Sequence, residues 1–338
     1  MIHAWNKSLW TSLHSGSGTP TGSLLLAGPQ GVGKRAFALA LAQGLLCANL
    51  QTGGEPCGAC MSCRLFAADS HPDFRRLEPA LDEGRQTAEE GSTGSTAPPV
   101  REGASILVGQ VRALTDFLVI ASQLAGRKVV LIQPADRLHP SAANALLKTL
   151  EEPLAGTVFI LVADHPQRLV PTIRSRCFRV DFSLPPREVA LKWLAEEGVE
   201  QPEVALAQAG FAPLKAVTLD RSGFPSRRRS LSEILVSAED PAQLAGAVDP
   251  GEVSLVCHLL QRWCYDLLSL RLADQVRYNP DYAAKLRGLA DKVDVHQLRT
   301  LIKELDDAAR ALEHPLNPRL VIEHLAIRYT RMISRQPS

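Results

Sequence analysis

Four cysteines stand close together in the chain: Cys47, Cys57, Cys60 and Cys63, spaced C-x9-C-x2-C-x2-C. Each C-x2-C turn can set two thiolates at adjacent corners of a tetrahedron, and four thiolates complete a Zn²⁺ shell with no position left for water. The pattern predicts structural zinc over residues 47–63 rather than a catalytic metal. The triple spacing is also used for iron–sulfur ligation, although the C-x3-C-P continuation is absent. A C-x-x-C redox pair is the other alternative, and it would use only two of the four residues. Cys177, Cys257 and Cys264 stand apart and read as small buried side chains.

A second constellation precedes the cysteines. Leu24-Leu25-Leu26-Ala27 runs into Gly28, Gly31, Gly33 and Lys34, followed by a strong helix-forming series from Ala36 to Leu46. Strand, glycine loop and helix in that order fit G-x-x-x-x-G-K, the phosphate-binding loop. Its glycines let backbone N–H groups turn toward a phosphate, and the helix N-terminus adds its positive dipole end. Lys34 would reach the terminal phosphates. The next position calls for Ser or Thr to bind Mg²⁺. Here it is Arg35, a cation with no acceptor atom. The loop is thus suited to phosphate and poorly suited to the metal.

The elements that must position these residues alternate. A short helix with Trp5, Leu9, Trp10 and Leu13 leads through a Gly/Ser/Thr/Pro stretch to the first strand. Phe74–Leu77, Lys128–Ile132, Thr157–Ala163 and Phe178–Phe182 read as further strands. Helices are predicted with Ile106, Val108, Val111, Leu114 and Leu118 on one side, from Ser141 to Leu150, and from Leu169 to Arg176. Apolar strands alternating with helices indicate an α/β fold with a parallel sheet covered on both faces. Residues 80–104, rich in Glu, Gly, Ser, Thr and Pro, read as a flexible loop. Pro185-Pro186 marks a boundary. Small helices follow, then a basic stretch from Arg221 to Arg229 that reads as a linker, then an all-α pattern from Ser230 to Ile333.

Bulk composition narrows the function. The chain has 338 residues, 45% of them hydrophobic and 22% charged, which is enough core for two or three domains. A net charge of +1 excludes a global field that drives the chain onto nucleic acid or membrane. Aromatics at 5% argue against base-stacking platforms. No apolar run has signal-peptide or membrane-span character, so a soluble cytoplasmic protein with reduced cysteines is expected.

Further motifs bring a resemblance. Ala142-Ala143-Asn144-Ala145-Leu146-Leu147-Lys148-Thr149-Leu150-Glu151-Glu152-Pro153 is followed by Phe159-Ile160-Leu161, Pro166, Leu169, Pro171, Ile173, Arg174 and Ser175-Arg176-Cys177. Together with the glycine loop and the cysteines, this series resembles the bacterial clamp-loader subunits of the AAA+ ATPase class. A weaker echo at Leu316-Asn317-Pro318-Arg319-Leu320, Glu323 and Leu325 reaches the C-terminus. The resemblance implies an AAA+ P-loop module with a zinc insertion over 1–183, a small helical lid over 184–225 and an all-α collar over 226–338. It also implies partners: other subunits of a hetero-pentameric ring, a sliding clamp, and primed DNA reached through the complex.

Departures from that family's pattern select among its members. Active ATPases there carry Asp-Glu at the end of the third strand, where this chain has Gln133-Pro134; Asp136 comes two residues late. Asp164 falls where a Thr or Asn sensor is expected, and Gly210-Phe211-Ala212-Pro213 lacks the lid arginine. The expectation is a non-motor subunit of a replicative polymerase's clamp loader, with its own ATPase absent or very weak and ATP or ADP held weakly. By the same resemblance Arg176 is an arginine finger acting on a neighbouring subunit's nucleotide. Guanidinium suits that role, being always charged and forked to match phosphate oxygens. The alternatives are an active DNA-dependent ATPase, and a zinc-dependent nucleic-acid-binding module on a vestigial ATPase fold.

Bland readings cover the remaining candidates. His71, His139 and His165 share no ligand spacing. Arg227-Arg228-Arg229, with Arg221, could touch DNA phosphates but reads better as a solvated helix start. Trp263 and Tyr265 lie in an apolar helical stretch and read as core.

Overall fold

β-branched and leucine-rich runs form the centre of the first unit. The computed structural model describes residues 2–15, 22–79, 104–237, 240–311 and 317–334. The strands are β1 (Gly22–Ala27), β2 (Phe74–Leu77), β3 (Lys128–Ile132), β4 (Thr157–Ala163) and β5 (Phe178–Asp181). They pair in the parallel order β2-β3-β4-β1-β5. Every residue of β3 and β4 is buried, as strands covered on both faces require. The two edge strands, β2 and β5, each carry exposed positions, among them Arg75 and Arg179. This is the AAA+ P-loop arrangement: the glycine loop leaves the C-terminal end of β1, which lies between β4 and β5.

Helices α1 (Lys7–His14), α2 (Lys34–Leu46), α3 (Met61–Ala67), α4 (Val108–Val119), α5 (Pro140–Glu151) and α6 (Pro171–Arg174) complete a compact unit spanning residues 1–184. A charged residue in the apolar β3 has a local reason. Lys128 Nζ donates to the carbonyls of Phe117 and Ile120, closing the C-terminal end of α4. Asp73, fully buried, accepts the N–H groups of Gln123, Leu124 and Ala125 and fixes the turn that re-enters the sheet. Both groups meet the rule that buried polar atoms be paired.

A second compact unit spans residues 185–338. Its helices are α7 (Arg187–Glu196), α8 (Pro202–Gln208), α9 (Pro213–Arg221), α10 (Phe224–Ser237), α11 (Pro241–Gly246), α12 (Val253–Ala273), α13 (Ala283–Ala290), α14 (Val295–Ala311) and α15 (Pro318–Ser334). No strand occurs among its described residues. Ala190, Leu194, Leu206 and Ala216 form one apolar cluster on α7–α9, and Trp263, Leu267, Leu286, Leu298 and Tyr329 centre a larger one on α10–α15. Trp263 Nε1 donates to Tyr329 Oη at 2.9 Å, and that hydroxyl donates to Leu235 O at 2.8 Å, so both polar tips are satisfied inside the core.

Two expectations need correction here. The basic stretch Arg221–Arg229 is not a linker: it is the end of α9 and the first turns of α10. Tyr265 is not core: it is 41% exposed, on the outer side of α12, because Trp263, Cys264 and Leu267 define the inward face. The loop expected over 80–104 lies outside the described residues except for its last one, as does the Gly/Ser/Thr/Pro stretch 16–21. Among the described residues, no helix is long and apolar enough to cross a membrane.

Candidate phosphate loop, metal centre and surface arginine

Backbone geometry makes the loop. Gly28, Gly31 and Gly33 all adopt positive φ. At Gly33, with φ of +96°, a Cβ would fall 2.7 Å from His3 Cδ2 and 2.9 Å from Asn6 Nδ2. Only glycine fits there, because the N-terminal segment lies on the loop: Trp5 Nε1 and Asn6 Nδ2 both donate to Val32 O, at 3.0 and 2.9 Å.

Lys34 does not point into open space. It is 3% exposed. Its ammonium donates to Gly28 O and Pro29 O, each at 2.6 Å, and pairs with Asp164 Oδ1 at 2.6 Å. An ammonium has three protons and Lys34 has three acceptors, so nothing is left over for a phosphate while these contacts hold. Asp164 is itself oriented: Asp136 accepts the N–H groups of Asp164 and His165 through its two carboxylate oxygens, at 3.1 Å each. Asp136, two residues late for a metal ligand, thus supports the loop after β4. Arg35 turns aside to Glu78, 3.4 Å away.

The four cysteines converge. Their Sγ atoms lie within 4.8 Å of one another, with Cys47–Cys57 at 3.5 Å, Cys47–Cys60 at 3.9 Å and Cys57–Cys63 at 4.0 Å. A tetrahedron with Zn–S bonds near 2.3 Å has edges of about 3.8 Å, so the residues fit the ion. The N–H groups of Cys57, Cys60 and Cys63 each point at the preceding cysteine's sulfur, at 3.4 Å. Such N–H groups favour thiolate; the one from Cys63 leads the effects that bring the Cys60 thiol down to about 6.

A polar clasp missed in the sequence ties this module to the sheet. Ser62 Oγ donates to Leu46 O at 2.6 Å and lies 2.7 Å from His71 Nε2, while His71 Nδ1 accepts the Asp73 N–H at 3.0 Å. That set leaves His71 neutral with its proton on Nε2, and burial pushes its pKa down accordingly. Its signal in the sequence was only Ser62 inside the cysteine run and His71 just before a strand.

Arg176 follows α6, which Pro171 starts and the buried Ile173 pins to the core. Its guanidinium pairs with Glu151 at the end of α5, and its Nη1 donates to Thr172 O at 3.0 Å. The side chain remains 33% exposed. The glycine loop, the cysteines and Arg176 are therefore three separate constellations within one unit.

Two of the other arginine candidates, Arg227 and Arg228, are internal struts, whereas Arg221, paired with Glu197, and Arg229 are exposed. Arg227 binds the Glu252 carboxylate and Ala247 O. Arg228, 4% exposed, takes a fork-to-fork pair with Asp281 at 2.7 and 2.8 Å plus Asn279 Oδ1. Neither is a solvated helix start nor free for a DNA phosphate, which corrects that expectation for these two; the exposed Arg221 and Arg229 keep the solvated reading. Cys257 and Cys264 are buried as expected, and Cys177 is half-buried; burial pushes their thiols up to about 11, 12 and 11 respectively.

The chain is similar in sequence to known proteins. The family model described as DNA polymerase III, delta subunit, matches residues 5–186. A Pseudomonas aeruginosa protein named DNA polymerase III subunit delta' is 41% identical over 236 residues, 69% of this chain and 65% of that relative. The Escherichia coli protein of the same name is 30% identical over 289 residues, 84% of this chain and 80% of its own length. The match thus spans just under two thirds of the first relative and four fifths of the second. A solved Thermotoga maritima gamma-subunit-related protein aligns over 97% of this chain and 99% of its own at a TM-score of 0.46 and 16% identity.

Proposed function

This chain belongs to the DNA polymerase III delta-subunit family, and from that premise we propose that it is the delta prime type of clamp-loader subunit, a stator-like member that does not itself drive the motor. It would sit in a hetero-pentameric ring with other clamp-loader subunits and help place a sliding clamp on primed DNA. In this reading residues 1–183 are the nucleotide-binding-like module, 184–225 the lid and 226–338 the collar that closes the ring.

The observation that carries the reading is the state of Lys34. Its three protons go to Gly28 O, Pro29 O and Asp164, and the positions that would hold Mg²⁺ and activate water are Arg35, Gln133 and Pro134. A nucleotide must displace the Asp164 carboxylate before it gains the lysine, so ATP and ADP bind weakly and are not hydrolysed in this site. Arg176 lies on the surface and acts outward, as a finger that stabilises charge on the phosphoryl group transferred in the adjacent subunit's ATP site. Zn²⁺ on Cys47, Cys57, Cys60 and Cys63 is structural. The isolated chain is expected to release no phosphate above background in a steady-state assay. Turnover near ~1 s⁻¹, the low end for ordinary enzymes, would instead mark an active ATPase.

A further inference from the structure

We propose that Glu151 is a positioning residue for Arg176, a role that rests on the reading of Arg176 as a finger acting on a neighbouring subunit. Arginine on a surface ordinarily spreads its charge over many rotamers, and ordering it when a ligand arrives costs affinity and rate. Here the ordering is done in advance. Glu151 Oε1 takes Arg176 Nη2, while Nη1 reaches Thr172 O at 3.0 Å and Ser175 Oγ at 3.4 Å. The holding groups come from two elements: Glu151 closes α5, and Thr172 and Ser175 belong to α6 and its cap. Both elements are pinned to the same core, through Leu146 and Leu150 on α5 and Ile173 on α6.

Three of the five guanidinium N–H groups are engaged, so Nε–H and one Nη2–H stay available to phosphate oxygens. The pair is also weak enough to yield. Glu151 is 45% exposed and Arg176 33%, and ion pairs this wet contribute little net stability. A triphosphate can therefore share the guanidinium with Glu151, and the carboxylate aims the fork without sequestering it. The Nε of the neighbouring Arg174 is buried without a hydrogen-bond partner among the described residues.

The test uses the complete clamp-loader complex, reconstituted with its partner subunits, and reads clamp- and DNA-stimulated ATP hydrolysis. Arg176→Ala sets the full loss attributable to the finger. Glu151→Ala is expected to give at least about half of that loss, in kcat, with KM for ATP within about twofold. Glu151→Gln, which keeps the acceptor oxygen and the side chain's shape, should recover part of it and guards against a folding defect in the alanine variant. The double variant should be no slower than Arg176→Ala alone. A Glu151→Ala complex with full or raised kcat, beside an impaired Arg176→Ala complex, overturns the positioning role and leaves the finger standing. Losses that add in the double variant also overturn it, because Glu151 would then act on something other than Arg176. If Arg176→Ala is itself without effect, the finger reading falls, and the positioning role with it.

Discussion

Lys34 is 3% exposed and spends all three ammonium protons inside its own unit, whereas Arg176 is 33% exposed and keeps part of its fork unused. Both cations face a carboxylate, Asp164 for Lys34 and Glu151 for Arg176. The difference is what else each touches. Lys34 is closed in by two carbonyls of its own loop and by Asp164, which Asp136 holds in turn. Among the described residues, Arg176 has only the rim of α6 and the wet carboxylate of Glu151. On the function proposed above, the saturated cation would serve stability and the loosely held one another molecule.

The harshest way to break this contrast is to loosen the helix that carries Lys34. Helix α2 starts at Lys34 and is followed at its C-cap by Cys47, a member of the four-cysteine cluster. Structural zinc contributes about 10–16 kcal/mol to the folding of modules it holds. Removing it with a strong chelator, or by Cys57→Ser with Cys60→Ser, should expose residues 47–63 to proteolysis and lower the thermal midpoint. Metal analysis should return one zinc per chain; iron, or no metal in a protein with an unchanged midpoint, would contradict the assignment.

Stability sharpens the contrast next. Lys34→Ala leaves Asp164 without its buried partner and should cost about 3 kcal/mol. Arg176→Ala removes a solvent-screened pair and should cost about 0–1 kcal/mol. Urea unfolding of the two variants side by side checks this, and equal losses would mean that the two sites are built alike.

A smaller effect concerns the ligand. Asp164→Asn removes the built-in anion but keeps the shape of the side chain, so ADP affinity should rise about tenfold, roughly 1.4 kcal/mol. Titration calorimetry with and without Mg²⁺ measures it. Arg35 and Pro134 supply no metal ligand and Gln133 offers only a neutral amide oxygen in place of a carboxylate, so Mg²⁺ should change the result little. Unaltered affinity in the variant would show that Asp164 is not what keeps phosphate out.

Much of this was legible in the residues themselves. Gly28 to Lys34 announced the loop, the cysteine spacing announced the convergence of four sulfurs able to hold a metal, and uninterrupted apolar runs announced buried parallel strands. What was hidden depended on distant partners. Asp164 looked like a misplaced sensor because nothing nearby in the chain indicates that it meets Lys34. Arg221–Arg229 reads as a linker because it is polar and basic, yet Arg227 and Arg228 are neutralised by Glu252 and Asp281 from later in the sequence. Tyr265 reads as core because the whole stretch is apolar, although helical spacing from Trp263 and Leu267 turns it outward. Strand order was equally silent, since parallel crossovers leave no local mark of which strands become neighbours.

The most direct measurement compares two complexes, one reconstituted with Lys34→Ala and one with Arg176→Ala, in the same clamp- and DNA-stimulated ATPase assay. Total turnover is a blunt readout because other sites keep their own groups, even though fingers supply roughly 10³ to 10⁵ in rate at the site they serve. Once assembled, the Lys34→Ala complex should turn over ATP at the unmodified rate, and the Arg176→Ala complex should lose the contribution of one site and load clamps more slowly. The reverse pattern, with turnover lost on changing Lys34 and kept on changing Arg176, would contradict the claim that this subunit lends a cation outward rather than using one within.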